Sequence, residues 1–341
     1  IWSEMVEDRK FWYKPGEQDS PWLQEGEEKF FSVDTSDPFV GSNTPVLSTD
    51  GSSEASLFQK GLGIRAGIDV VGHIVLKASG NKISADVSLS WGTGANESVK
   101  VSLVDLNPGY KSYPLAFKIP VTSKDVTLSI TTRGMGKVWI GTVSLMPSDN
   151  IEGFRADVLA LLRELNSPVY RWPGGNFVSG YDWRDGIGDR DKRPPRKNPA
   201  WLGVEHNDVG IHEFMRFCEL INTEPYIAVN AGLGDHTMAR QEVEYCNGPA
   251  GTPMGRLRSE NGHPDPWKVK WWSIGNEMYG SWQLGFMPTG EFVKKHNEFV
   301  DAMKSVDPDI KIIAVGDLGE WDRMVLSNCA DKMDYISEHF Y

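Results

Sequence analysis

Trp271-Trp272-Ser273-Ile274-Gly275-Asn276-Glu277 is a short apolar run that ends in an amide and a carboxylate. It is too short for a helix and lacks the in-out alternation of a half-buried strand, so it reads as a parallel strand covered on both faces. Similar runs stand at Pro168-Val169-Tyr170, Tyr226-Ile227-Ala228-Val229, Ile310 to Val315 and Met333 to Ile336. Amphipathic segments lie between them, clearest at Phe214, Phe217, Cys218, Ile221 and at Phe292, His296, Phe299, Val300, Met303. Strands alternating with helices predict an α/β fold, either a doubly wound sheet or a (β/α)8 TIM barrel. The polar residues separate the two. Arg171, Asn230, Asn276, Glu277, His339 and Tyr341 stand at the ends of different strands, the arrangement of a barrel's catalytic face. A doubly wound sheet would gather its site at one switch point behind a Gly-rich phosphate turn. The Gly-rich candidate, Arg171 to Asn176, lacks the G-x-G-x-x-G spacing, so no dinucleotide site is indicated.

The earlier part of the chain has a different texture. Lys82-Ile83-Ser84-Ala85-Asp86-Val87-Ser88-Leu89-Ser90-Trp91 alternates strictly, which puts Ile83, Ala85, Val87, Leu89 and Trp91 on one buried strand face. Further strand-like runs at Val99 to Val104, Tyr113 to Ile119, Val126 to Thr131 and Lys137 to Leu145 are separated by turn-rich pieces. Two of these are Asn107-Pro108-Gly109 and Arg133-Gly134-Met135-Gly136. Short strands without a helical period predict a β-sandwich. After Asp149 the period becomes 3.6, with Phe154, Val158, Leu161, Leu162 and Leu165 on one helical face.

Composition narrows the function classes. The 341 residues suffice for about two domains, and 40% hydrophobic with 24% charged residues describes a globular chain rather than a membrane-spanning or disordered one. The formal charge of −12 offers no basic footprint for nucleic acid or an anionic membrane surface. Cys218, Cys246 and Cys329 cannot all pair within the chain and match no metal-ligand spacing, so neither a disulfide framework nor a zinc site is indicated; the activity expected below implies no cofactor or metal. Thirteen Trp is a high count. Most serve as core in any protein, yet flat apolar faces with polar edges are also what sugar rings stack on.

A carboxylic acid at a strand end with Trp around it is suited to proton donation near neutral pH, because desolvation raises its pKa. On that chemistry Glu277 is the candidate acid, with Asn276 beside it to hold a sugar hydroxyl. Taken alone, an Asn-Glu pair is more often a cap or loop carboxylate.

Several motifs together are more specific. Tyr170-Arg171-Trp172-Pro173-Gly174-Gly175-Asn176-Phe177 with Tyr181 to Gly188, Glu205 to Met215, Glu244-Tyr245-Cys246-Asn247, Gly275-Asn276-Glu277 and Ser337-Glu338-His339-Phe340-Tyr341 resemble glycoside hydrolase family 51, the α-L-arabinofuranosidases, in order and context. Trp2 to Phe11 resembles that family's first barrel strand, and the β-rich insert resembles a carbohydrate-binding-like sandwich of one branch. The resemblance implies a retaining glycosidase on a (β/α)8 barrel, with Glu277 as general acid/base and Asn276 on the 2-hydroxyl. Glu4 and Asn176 would bind arabinose hydroxyls, while Arg171, His339 and Tyr341 would orient the nucleophilic carboxylate. It divides the chain into residues 1–30, holding the first strand; 31–148, the sandwich; and 149–341, strands two to six.

The second carboxylate is the departure from the family. Glu320-Trp321 superficially matches the expected pair but precedes the His339 strand, which is the wrong order along a barrel. Six of eight strands leave the barrel open, so the chain is expected to be part of a longer or cleaved protein, truncated before its nucleophile. The expected activity is release of terminal arabinofuranose from arabinan, arabinoxylan or their oligosaccharides. The alternatives are a retaining glycosidase on a xylan or β-glucan backbone, and a non-catalytic carbohydrate-binding protein. A plant cell-wall polysaccharide substrate favours secretion or a periplasm; the oligomeric state is not readable.

Overall fold

The computed structural model describes residues 1–94 and 96–340 and divides them into two units. The first holds Ile1–Ala160 and Asp191–Arg196; the second holds Leu161–Arg190 and the chain from Lys197 onward.

In the first unit β1 (Leu23–Glu25), β2 (Phe31–Asp34), β3 (Thr44–Asp50), β4 (Ala55–Ile64), β5 (Val70–Ser90), β6 (Ser98–Leu103), β7 (Lys111–Phe117) and β8 (Ser123–Pro147) join one eight-stranded sheet. The long strands β5 and β8 run antiparallel side by side, and each changes its outer partner along its length. β5 pairs with β7 over residues 70–76 and with β6 over 85–90, whereas β8 pairs with β4 over 123–132 and with β3 over 135–139. The change falls at the facing pair Gly80 and Gly136, both at positive φ. A Cβ on either would collide with the opposite backbone, so this close approach requires glycine. It also corrects the expectation of a turn at Arg133-Gly134-Met135-Gly136. β8 continues through these residues and joins two runs that the sequence separates.

Ile83, Ala85, Val87 and Leu89 are buried with Leu57, Leu128, Ile130, Val138 and Ile140 in one core, as their alternation requires, and Trp91 packs partly buried against it. Two cations, Arg9 and Lys10, are also fully buried in this unit. Lys10 Nζ donates to the Arg193 carbonyl (3.2 Å), and Arg9 Nη1 donates to Thr142 Oγ1 and Asp191 Oδ1 (2.9 Å each). His73 Nε2 lies 2.6 Å from Asp191 Oδ2. Burial pushes the Asp191 carboxyl up, but the His73 hydrogen bond and the Arg9 charge outweigh it and hold the group well below the usual carboxylate range.

From α1 (Ala156–Leu165) the chain runs through β9 (Val169–Trp172), β10 (Arg196–Lys197), β11 (Val204–Glu205), α2 (Ile211–Ile221), β12 (Glu224–Val229), α3 (His236–Asn247) and α4 (Pro253–Glu260). It continues through β13 (Trp271–Ile274), α5 (Thr289–Lys304), β14 (Lys311–Val315), α6 (Glu320–Cys329) and β15 (Tyr335–Ser337). β10 and β11 form a separate ladder. Strands β9, β12, β13, β14 and β15 are parallel and lie side by side in chain order. A doubly wound sheet reverses its order at a switch point; this sheet does not. α2 buries Phe214, Phe217, Cys218 and Ile221, and α5 buries Phe292, His296, Phe299, Val300 and Met303, as their spacing predicts. No helix among the described residues is long and apolar enough to cross a membrane.

Two further expectations need correction. Trp2 to Met5 is not a strand of the parallel sheet, because its backbone is engaged within the first unit. Trp2 bridges Phe154, while the Ser3 and Met5 N–H groups donate to the Gly153 and Leu145 carbonyls (2.8 and 2.9 Å). The apolar face expected around α1 is only partly buried, with Leu161 and Leu165 64% and 67% exposed. The helix begins at Ala156, so Phe154 falls before it, and Leu159 is the side chain that α1 buries.

The Arg9 network generates a test of stability. Asp191→Asn removes the nearer of two carboxylates beside a buried guanidinium, the other being Glu4 at 3.9 Å, and is expected to destabilise the protein by about 2–4 kcal/mol. A carboxylate whose folded pKa lies below its unfolded value, near 3.9, stabilises above about pH 4, and this contribution is lost as the pH falls through the folded value. Thermal melts of both proteins should therefore differ most above about pH 4 and converge in acid. Equal melting temperatures at neutral pH would contradict the assignment.

Candidate active site

Beyond Ile274 the β13 backbone turns sharply. Gly275 has φ +84° and Glu277 has φ +44°, so a carboxylate residue occupies the left-handed region at a cost of about 1–3 kcal/mol. The turn is closed by the Gly280 N–H donating to the Glu277 carbonyl (2.7 Å). The Gln283 side-chain amide donates to the Asn276 carbonyl. Glu277 is thereby fixed at the strand's C-terminal end, with 8% of its surface exposed.

Both Glu277 oxygens have partners. His339 Nδ1 lies 2.7 Å from Oε1, and Trp282 Nε1 donates to Oε2 at 3.1 Å. Asn276 Nδ2 donates to Asn176 Oδ1 (3.1 Å), while Asn276 Oδ1 is buried without a partner. These residues, with Arg171, Gly175 and Trp201, line one cavity of about 330 Å³ in the second unit. Arg171 sits opposite Tyr226 in the sheet. Burial pushes the Tyr226 phenol above its usual pKa, and Ser273 and the Arg171 charge only partly offset the effect. The cavity thus offers a shielded carboxyl, a guanidinium, an imidazole and two amides, with Trp faces at its rim. Such a set suits a small polyhydroxylated ring more than an apolar ligand.

The structure therefore brings together Arg171, Asn176, Asn276, Glu277 and His339. Glu4 belongs to the first unit, where its oxygens accept hydrogen bonds from Ser144 Oγ (2.6 Å) and from the N–H groups of Leu145 (3.0 Å), Met5 and Val6 (3.1 Å each). Burial raises its pKa, opposed by Arg9 and these donors. Tyr341 lies outside the described residues. Asn230 serves the backbone: its Oδ1 accepts from the N–H groups of Gly232, Leu233 and Gly234, and its Nδ2 donates to the Tyr181 carbonyl. Glu320 opens α6, exposed and paired with Arg323 (3.0 Å). Trp201, Trp282 and Gln283 were missed by the sequence reading. Trp content was the available signal, but no periodicity marks which Trp a loop returns to a cavity.

Residues 161–341 match the family model described as "Alpha-L-arabinofuranosidase 1 domain". Among curated relatives, the probable α-L-arabinofuranosidase C of Aspergillus fumigatus is 45% identical over 185 residues, covering 54% of this chain and 37% of the relative. The intracellular exo-α-(1→5)-L-arabinofuranosidase 1 of Bacillus subtilis is 41% identical over 202 residues, 57% of this chain and 40% of the relative. The solved α-L-arabinofuranosidase of Thermotoga maritima in its arabinose complex aligns with a TM-score of 0.55 and 48% identity, covering 56% of this chain and 40% of that one. The chain thus spans about two fifths of the length of the relatives it matches, 37–40% in these cases.

The turn that carries Glu277 is directly testable. A Cβ at Gly275 would stand 2.8 Å from Met278 Sδ and 3.0 Å from Ala231 Cβ, on a backbone at φ +84°. Gly275→Ala is expected to lower stability by about 1–3 kcal/mol. Calorimetric melting checks this; an unchanged transition would show that the turn is not constrained as described.

Proposed function

The chain belongs to the α-L-arabinofuranosidases of glycoside hydrolase family 51, and on that premise we propose that it carries the proton-donating and sugar-binding part of an exo-acting, retaining arabinofuranosidase. The observation that carries the proposal is the Glu277 carboxyl, shielded in a cavity lined by Arg171, Asn176, Asn276 and His339. Glu277 gives its proton to the glycosidic oxygen as the bond to the anomeric carbon breaks, and in the second step accepts one from the attacking water. The unpartnered Asn276 Oδ1 accepts from a sugar hydroxyl, the 2-hydroxyl in this proposal, and Asn176 holds a neighbouring one. Arg171 orients the opposing carboxylate, whereas His339, expected beside it, lies against Glu277 Oε1 and holds the acid/base instead. The roles of Glu4 as a hydroxyl ligand and Tyr341 as an orienting phenol rest on the resemblance alone.

Retaining chemistry requires a second carboxyl about 5 Å from the first. Among the described residues that line the cavity, Glu277 is the one carboxylate. The in-order parallel sheet supports an eight-stranded (β/α)8 barrel, and the partner exchange of β5 and β8 supports a sandwich for residues 31–148. The substrate is a terminal arabinofuranosyl group of arabinan, arabinoxylan or their oligosaccharides. A polymer substrate would call for secretion or a periplasm; an oligosaccharide would not.

Substituting Glu277→Gln in the complete natural polypeptide is expected to lower turnover of arabino-oligosaccharides by about 10²–10⁴-fold. An aryl arabinofuranoside with an acidic leaving group should lose far less, and added azide should restore its turnover. Equal losses on both substrates, without azide rescue, would sink the acid/base role.

A further inference from the structure

We propose that Gln283 is a positioning residue for catalysis: its side chain holds the Asn276–Glu277 peptide in the conformation that aims the Glu277 carboxyl into the cavity. This inference rests on the acid/base reading of Glu277. Gln283 is buried and both ends of its amide are engaged. Nε2 donates to the Asn276 carbonyl, the oxygen of the peptide that leads into Glu277, and also reaches Met278 Sδ at 3.6 Å. Oε1 accepts from Ser179 Oγ at 2.8 Å, and Ser179 is fully buried in the 3-10 segment Gly175–Gly180, which also carries Asn176. The orientation of the amide is set by the carbonyl, which accepts hydrogen bonds and cannot donate them.

The surrounding backbone leaves Gln283 little freedom. A Cβ at Gly232 would lie 2.6 Å from Ser179 Cβ and 2.8 Å from the Leu284 carbonyl, so the loops after β9, β12 and β13 are interlocked around this amide. The loop that supplies Gln283 also supplies Trp282, the donor to Glu277 Oε2. One segment thus fixes the backbone before the carboxylate through residue 283 and one carboxylate oxygen through residue 282. A left-handed non-glycine residue relaxes toward ordinary backbone angles unless its neighbours over-determine it. Removing the Gln283 donor should let the Asn276–Glu277 peptide rotate and swing the carboxyl off the glycosidic oxygen, while Arg171 and Asn176 stay in place.

Such a defect has a signature that general destabilisation lacks: it scales with how much protonation the leaving group needs. In the complete polypeptide, Gln283→Met keeps the volume and removes the donor. Its kcat/KM is expected to fall about 30- to 100-fold on a methyl arabinofuranoside and less than about fivefold on the 2,4-dinitrophenyl arabinofuranoside. Ser179→Ala, which frees the other end of the amide, should shift the same ratio in the same direction by about 3- to 10-fold and guards against poor folding of the first variant. Equal losses on both substrates in either variant would overturn the inference. If the wild type hydrolyses neither substrate, the functional reading fails by itself. A crystal structure of Gln283→Met then still decides the positioning role: a displaced Glu277 supports it, and an unmoved Asn276–Glu277 peptide refutes it.

Discussion

The cavity of the second unit is built around one acidic side chain held in an unfavourable backbone conformation. Glu277 at φ +44° opposes the ordinary preference of an L-residue, and the neighbours that hold it there come from three loops. Gly275 makes the turn, the Gln283 amide grips the preceding peptide, and Ser179 and Gly232 grip the segment that carries Gln283. Parallel strands in chain order put these loops at one end of the sheet, so residues far apart in sequence meet there without long connections. The carboxyl is then shared between an imidazole and an indole N–H, and each donor comes from a different element.

The first unit handles its polar burden in another way. Arg9 and Lys10 lie among apolar strands, where an unpaired charge would cost several kcal/mol. Asp191, Thr142 and the Arg193 carbonyl satisfy them, and two of these three come from the short segment Asp191–Arg196, which leaves the second unit's sequence to join this one. Close backbone contact at Gly80 and Gly136 lets β5 and β8 serve two sets of partners.

Much of this was legible in the sequence where a physical period exists. The parallel strands announced themselves as short apolar runs, and α2 and α5 by their helical spacing. The strand-end rule picks out Arg171, Asn276, Glu277 and His339, which line one cavity. It did not separate Asn230, whose amide is occupied by three backbone N–H groups. Glycine misled at Arg133 to Gly136, because the residue that permits a turn also permits a long strand to bend beside another. Trp2 to Met5 looked like a barrel strand on its motif, but hydrogen-bond partners are a property of the folded chain. Gln283 carries no motif at all; its role follows from which carbonyl its loop reaches.

The central claim is that Glu277 faces the glycosidic oxygen of a terminal arabinofuranosyl group. A crystal structure of the complete Glu277→Gln protein with an arabino-oligosaccharide tests it most directly. The account predicts the terminal ring in the cavity between Arg171, Asn176 and Asn276, with the glycosidic oxygen about 3 Å from the side chain at position 277. A sugar bound elsewhere, or one whose glycosidic oxygen points away from that side chain, would contradict it.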